Sequence, residues 1–196
     1  LSEIWEIAKN TYKPYPAGIV LHPVIEGCIR LHHETGLRAE DVVAVEVTAH
    51  PLLRERADRP DVTTGRLSQV SAQHAIAIAL RRGSAGLTAF NDAAVAETRR
   101  DDIRPQVTFI DDADRAIESV HMIVHTRQGQ SHTIEITTAK GGPANPMTDG
   151  ELEEKLAELA AYRGFDGNIR AISDAVWSLD GTEDAAEVMN MVGTQS

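Results

Sequence analysis

The segment Ser71–Leu80, SAQHAIAIAL, constrains the fold more than any other. Wound as a helix, it is apolar nearly all the way round, which is the pattern of a helix buried on both sides. Gly83 marks its end. Both sides of such a helix want burial, and a single small sheet covers only one of them.

The flanking segments supply both helices and strands. The stretch Lys13-Pro14-Tyr15-Pro16-Ala17-Gly18 is barred from regular helix by its prolines. A helix is predicted from near His22, where Pro23 suits the first turn, to Gly36, with Val24, Ile25, Cys28, Leu31 and His32 at helical spacing. Val42–Thr48 is β-branched and reads as a strand, residues 50–59 carry no clear pattern, and Asn91–Arg100 reads as a short helix. A β section follows over 106–110, 117–127 and 131–139, with the last pair joined across Gln128-Gly129.

After the loop 141–146, Thr148 and Glu151 form a capping box, with Met147 and Leu152 as a hydrophobic staple. Leu152, Leu156 and Leu159 give that helix its apolar stripe, and Asn168–Leu179 and Thr182–Val192 repeat the helical pattern. The expected fold class is α+β: a small mixed or antiparallel sheet with helices on one face, then C-terminal helices. The expected division is 1–147 for the α+β part and 148–196 for the helices.

Composition narrows the partners. A net charge of −11 over 196 residues excludes a nucleic-acid-binding surface of ordinary kind, though a local cationic site remains compatible with it. Cys28 is the single cysteine, so no intramolecular disulfide or cysteine-rich metal site can form, which fits a cytoplasmic protein. No apolar run has the length of a membrane span. The start, Leu1-Ser2-Glu3-Ile4-Trp5, has neither a basic nor an apolar leader region and reads as mid-protein sequence.

Three side chains carry candidate chemistry. Lys13 precedes a helix start, where free backbone N–H groups and an ammonium together favour an anion, although spacing alone favours an ordinary solvated lysine. His22 stands at that helix start and can carry a proton near neutral pH, or simply cap the helix. His74 lies within the apolar helix, either projecting into a site or bonded to a carbonyl in the core. His121, His125 and His132 share a sheet face if the hairpin turns at Gln128-Gly129, but nothing completes a zinc site, so no metal is expected. Walker, Rossmann, zincin and nucleophile-elbow motifs are absent from the sequence, and Ser68 and Ser71 lack the context of a nucleophile.

Four segments, in order, resemble the MmgE/PrpD family, that of 2-methylcitrate dehydratase. Tyr12-Lys13-Pro14-Tyr15-Pro16 followed by Leu21-His22-Pro23-Val24-Ile25 resembles its K-P-Y-P…H-P-A-I stretch. Gly36…Glu40-Asp41-Val42…Val45-Glu46-Val47 and Ser71–Gly83 are similar to its central strand and helix motifs. Gly142-Pro143-Ala144-Asn145-Pro146-Met147-Thr148, leading to Glu151-Leu152 and Lys155, resembles its late G-x-P-x-N-P-M-S motif.

The resemblance implies a lyase or isomerase that handles small polycarboxylates without metal or other cofactor: dehydration, decarboxylation or epimerisation beside a carboxylate. It places Lys13 on a family active-site lysine, His74 where relatives have a pocket tyrosine, and His22 on a common family histidine. Lys13 and His74 are thus the expected catalytic residues, with Lys13 and His22 binding substrate. Gly18 stands where some relatives carry a catalytic histidine, which counts against cis-aconitate decarboxylation. The resemblance also implies an all-helical domain ahead of this α+β part, on which the final helices pack and which covers the second side of Ser71–Leu80. Without that domain the chain is expected to be inactive and to self-associate as a homo-oligomer such as a homodimer. A non-catalytic binding or scaffold module derived from the family is the alternative.

Overall fold

The computed structural model describes residues 5–100, 104–182 and 184–193. Leu1–Ile4, on which the reading of the chain's start rested, lie outside them. Two compact units form, Leu1–Met147 and Thr148–Ser196.

In the first unit α1 (His22–Thr35) begins where Pro23 predicted and ends at Gly36, whose φ of +73° suits glycine. Strand β1 (Val42–Ala49) follows, then α2 (Leu52–Ala57), α3 (Gly65–Ser68), α4 (Ala72–Arg82) and α5 (Asp92–Arg100). Strands β2 (Gln106–Asp111), β3 (Val120–Thr126) and β4 (Ser131–Ile136) complete the sheet. The order is β2-β1-β3-β4, with β1 and β2 parallel and the other pairs antiparallel. The parallel pair needs a long crossover, and α2 to α5 provide it. The fold is α+β with a mixed sheet.

Alternation along β3 assigns the faces: Val120, Met122 and Val124 are buried, and the alternate residues His121, Ile123 and His125 are half-buried. Helix α1 packs on β3 and β4 through the buried face. Gly27 permits the approach, since a Cβ there would lie 2.5 Å from Met122 Cε. The opposite face is polar, with Glu135 held between Arg115 (Nη1 to Oε1, 2.8 Å) and His121 (Nδ1 to Oε2, 2.8 Å).

Helix α4 runs from its Ser71 cap to Gly83 at φ +63°, and every residue from Ala72 to Leu80 is buried. The sequence assigned its second cover to another domain. The chain supplies that cover itself: α1 packs on α4, and so does α5, while the turn Leu87–Phe90 reaches His74 through Ala89 O.

The hairpin also corrects the sequence reading. Gly129, at φ +78°, lengthens the turn, with Gly129 N–H donating to Thr126 O and Thr126 N–H to Gln130 O. The register becomes His125 opposite Ser131 and Val124 opposite His132. A slip of one residue moves a side chain to the other face, so His132 parts from His121 and His125. The arrangement that suggested zinc does not form.

The second unit contains α6 (Asp149–Arg163), α7 (Ile169–Trp177) and α8 (Ala186–Val192). The capping box is made: Glu151 N–H donates to Thr148 Oγ1 at 3.3 Å, and Thr148 N–H to Glu151 Oε2 at 2.8 Å. Glu153 Oε1 accepts from Ser173 Oγ and Trp177 Nε1, tying α6 to α7. Leu159, Tyr162, Val176, Trp177 and Met189 are all exposed. Among the described residues no helix is long and apolar enough to cross a membrane.

Candidate functional site

Two loops far apart in sequence are stitched together beside the start of α1. Tyr12 N–H donates to Gly141 O at 2.8 Å, and Gly141 N–H donates to Asn145 O at 2.8 Å. Asn145 Nδ2 donates to Thr138 O at 2.9 Å, so the later loop is braced from within. Gly141 sits at φ +108°, and a Cβ there would collide with Tyr12 O. Only glycine satisfies both its backbone angle and this approach.

The junction encloses a cavity of about 190 Å³ lined by Thr11, Tyr12, Lys13, His22, Glu118 and Lys140, with the loop 138–144 as one wall. Lys13 is exposed at its rim, Lys140 is half-buried and His22 is buried. Lys13 Nζ donates to Ala17 O at 3.2 Å. His22 Nε2 lies 3.4 Å from the same oxygen, and since a carbonyl only accepts, this nitrogen carries a proton. The Tyr15 ring meets the His22 ring edge-on, with centroids 5.6 Å apart.

The start of α1 is partly engaged by its own backbone. A 3₁₀ turn, Ile19–Leu21, leads into α1: Leu21 N–H donates to Gly18 O, His22 N–H donates to Ile19 O, and Pro23 has no N–H. Two of the amides at this helix start are therefore bonded within the chain. Lys13 and Lys140 are the basic side chains of the lining.

His74 stands elsewhere. It is fully buried in α4 and does not line this cavity. Its Nε2 donates to Ala89 O at 2.8 Å, its Nδ1 lies 3.2 Å from Thr98 Oγ1, and its ring meets Phe90 edge-on. Burial, the largest influence, pushes its pKa down from 6.5 to about 4. This is the core histidine bonded to a carbonyl. The structure brings Lys13 and His22 together and leaves His74 apart.

Lys140, Glu118 and Glu26 escaped the sequence reading. Lys140 directly precedes the Gly141-Gly142-Pro143 loop, and that adjacency was the available signal. Glu26 lies one helical turn after His22, on the same face of α1, and its Oε2 accepts Lys140 N–H at 2.8 Å. Cys28 is buried, which pushes its thiol up to about 12 and away from nucleophilic chemistry. Among the described residues no cluster of three or more His, Cys, Asp or Glu side chains could hold a metal ion.

The family model for the MmgE/PrpD C-terminal domain matches residues 15–180. The chain belongs to the MmgE/PrpD family. No curated protein matches it. The matched span of the MmgE/PrpD domain contains His22, Glu26, Lys140 and the late loop, and Lys13 lies just before it.

Proposed function

We propose that this cavity holds a carboxylate of a small polycarboxylate, and that the chain forms the cationic wall of a lyase or isomerase site of the MmgE/PrpD kind. One observation carries the reading: the two segments resembling the family's K-P-Y-P and G-x-P-x-N-P motifs meet through Tyr12 N–H and Gly141 O, with Lys13 and His22 lining the cavity they enclose.

The chemistry follows from charge. Removing a proton from a carbon beside a carboxylate leaves negative charge that spreads onto the carboxylate oxygens. An ammonium beside those oxygens stabilises that charge more than it does the starting anion. In dehydration the proton leaves to a base, the neighbouring C–O bond breaks, and hydroxide departs after protonation as water. Lys13 anchors the carboxylate, and His22, close to it through the shared Ala17 carbonyl, orients the substrate. The remaining acid–base groups come from a preceding all-helical domain, which is the partner this reading requires.

The test is turnover with that domain supplied. 2-Methylcitrate dehydration, cis-aconitate decarboxylation and epimerisation of an amino-dicarboxylate are measured with the parent chain and with Lys13→Ala. The expected result is activity on at least one substrate, lost in the variant. Equal turnover by parent and Lys13→Ala would overturn the reading and leave a binding or scaffold role.

A further inference from the structure

We infer that Lys140 is a second anchoring cation of this cavity, so that Lys13 and Lys140 together select dicarboxylates, and that Glu26 is the positioning residue that holds Lys140 in place. The inference rests on the reading of the Lys13 cavity as a carboxylate site.

Tyr12 N–H donates to Gly141 O, and the residues flanking that bond are Lys13 on one strand of chain and Lys140 on the other. Both line the same cavity. Side chains that leave neighbouring points of two bonded segments into one cavity can reach two ends of a short ligand. A monocarboxylate occupies one of them; a dicarboxylate occupies both and gains a second charge-assisted contact.

Glu26 fixes the second point. Its Oε2 accepts Lys140 N–H at 2.8 Å, a charge-assisted bond from α1 to the loop after β4. His22 and Glu26 stand one turn apart on α1. One rigid helix therefore carries the histidine that lines the cavity and the carboxylate that holds the Lys140 backbone. Ala139 N–H, donating to Glu118 O at 2.8 Å, secures the residue before it. Lys140 is thus held on both sides: Ala139 is bonded to the segment before β3, and Gly141 to Tyr12.

The test is binding to the full chain by calorimetry or ligand-observed NMR, with succinate as the dicarboxylate and propionate as the monocarboxylate. Lys140→Met and Lys140→Gln should each weaken succinate binding by about tenfold, the size expected for one lost charge-assisted contact, while propionate changes less than about twofold. Glu26→Ala should weaken succinate partially and speed hydrogen exchange at the Lys140 amide, and a Lys140→Met background should abolish the effect on succinate. Thermal melts of each variant exclude unfolding. If Lys13→Ala weakens both ligands but neither Lys140 variant alters the succinate-to-propionate ratio, the second anchor is refuted and the Lys13 site stands. If Lys13→Ala also leaves both ligands unchanged, the reading of the cavity falls with it.

Discussion

Lys13 and His22 converge on one carbonyl oxygen: Lys13 Nζ donates to Ala17 O at 3.2 Å, and His22 Nε2 reaches the same atom at 3.4 Å. The prolines on either side of Tyr15 restrict the chain between Lys13 and Ala17, so this convergence costs little entropy to hold. An ammonium and an imidazole held around one acceptor form a preorganised anion corner.

In the assembled enzyme, Lys13→Ala should lower turnover by about 100-fold, the scale for losing a group that stabilises developing negative charge. Its stability should change by less than about 0.5 kcal/mol, because Lys13 is an exposed side chain. Lys13→Arg should restore only part of the activity, since a planar guanidinium does not replace a compact ammonium. Steady-state kinetics and a denaturant midpoint measure the two effects separately; full activity in either variant contradicts the role.

Gly141→Ala tests the junction without touching a charge. The substitution places a Cβ against Tyr12 O at a φ of +108°. It should cost about 2 kcal/mol, the scale for forcing a non-glycine residue into such a conformation. It should also weaken succinate binding, because the segments carrying Lys13 and Lys140 must part. A variant with parental stability and affinity would show that the close approach is unnecessary.

Local signals were the legible ones. Gly36 and Gly83 end their helices, and Thr148 caps α6, because each acts on neighbours within a turn. Whatever depended on two distant segments was harder to read. Ser71–Leu80 carries an all-round apolar pattern but no sign that α5 and the Leu87–Phe90 turn close over it. The hairpin reading was right about the strands and wrong about the turn by one residue, enough to move His132 to the other face. Lys140 was invisible for a similar reason: its place beside Lys13 depends on the Tyr12–Gly141 bond, which joins loops on either side of the whole sheet.

Thr148→Ala removes the hydroxyl that accepts Glu151 N–H at 3.3 Å and donates to Glu151 Oε2 at 3.0 Å. The loss of an N-cap should destabilise α6 by about 1 kcal/mol. Succinate affinity should stay unchanged, since the substitution alters neither Lys13 nor Lys140. Helicity followed by circular dichroism through a melt measures the first effect; a curve superimposable on the parent's contradicts it.

The second unit should drive self-association of this chain. Trp177 and Met189 are 50% and 68% exposed, and the Trp177 indole N–H is already engaged by Glu153 Oε1, which leaves its ring edge to water. Open apolar faces of this kind favour association. Sedimentation velocity should find a concentration-dependent species that Trp177→Asp with Met189→Asp reduces to monomer. A parent chain that stays monomeric at high concentration contradicts the expectation.

The buried His74 gives stability a defined pH dependence. Its folded pKa is lowered from 6.5 to about 4, chiefly by burial, and the neutral ring bridges Ala89 O and Thr98 Oγ1. In the unfolded chain the same imidazole regains its ordinary value. Above pH 6.5 both states are neutral and the contribution is complete. Between that value and pH 4 the unfolded state binds a proton that the folded state refuses, so stability falls as pH falls; below pH 4 both are protonated and the loss levels off. At about 1.36 kcal/mol per pKa unit the full loss is roughly 3 kcal/mol. His74→Gln keeps a donor and an acceptor but cannot titrate, so it should be less stable than the parent near neutrality and should flatten the slope through this window. The measurement is the denaturant midpoint of parent and variant at intervals from pH 7 to pH 4. The other histidines titrate in both proteins, so only the difference between the two curves reports His74. Parallel curves would show that His74 gains its proton as readily in the folded protein as in the unfolded chain.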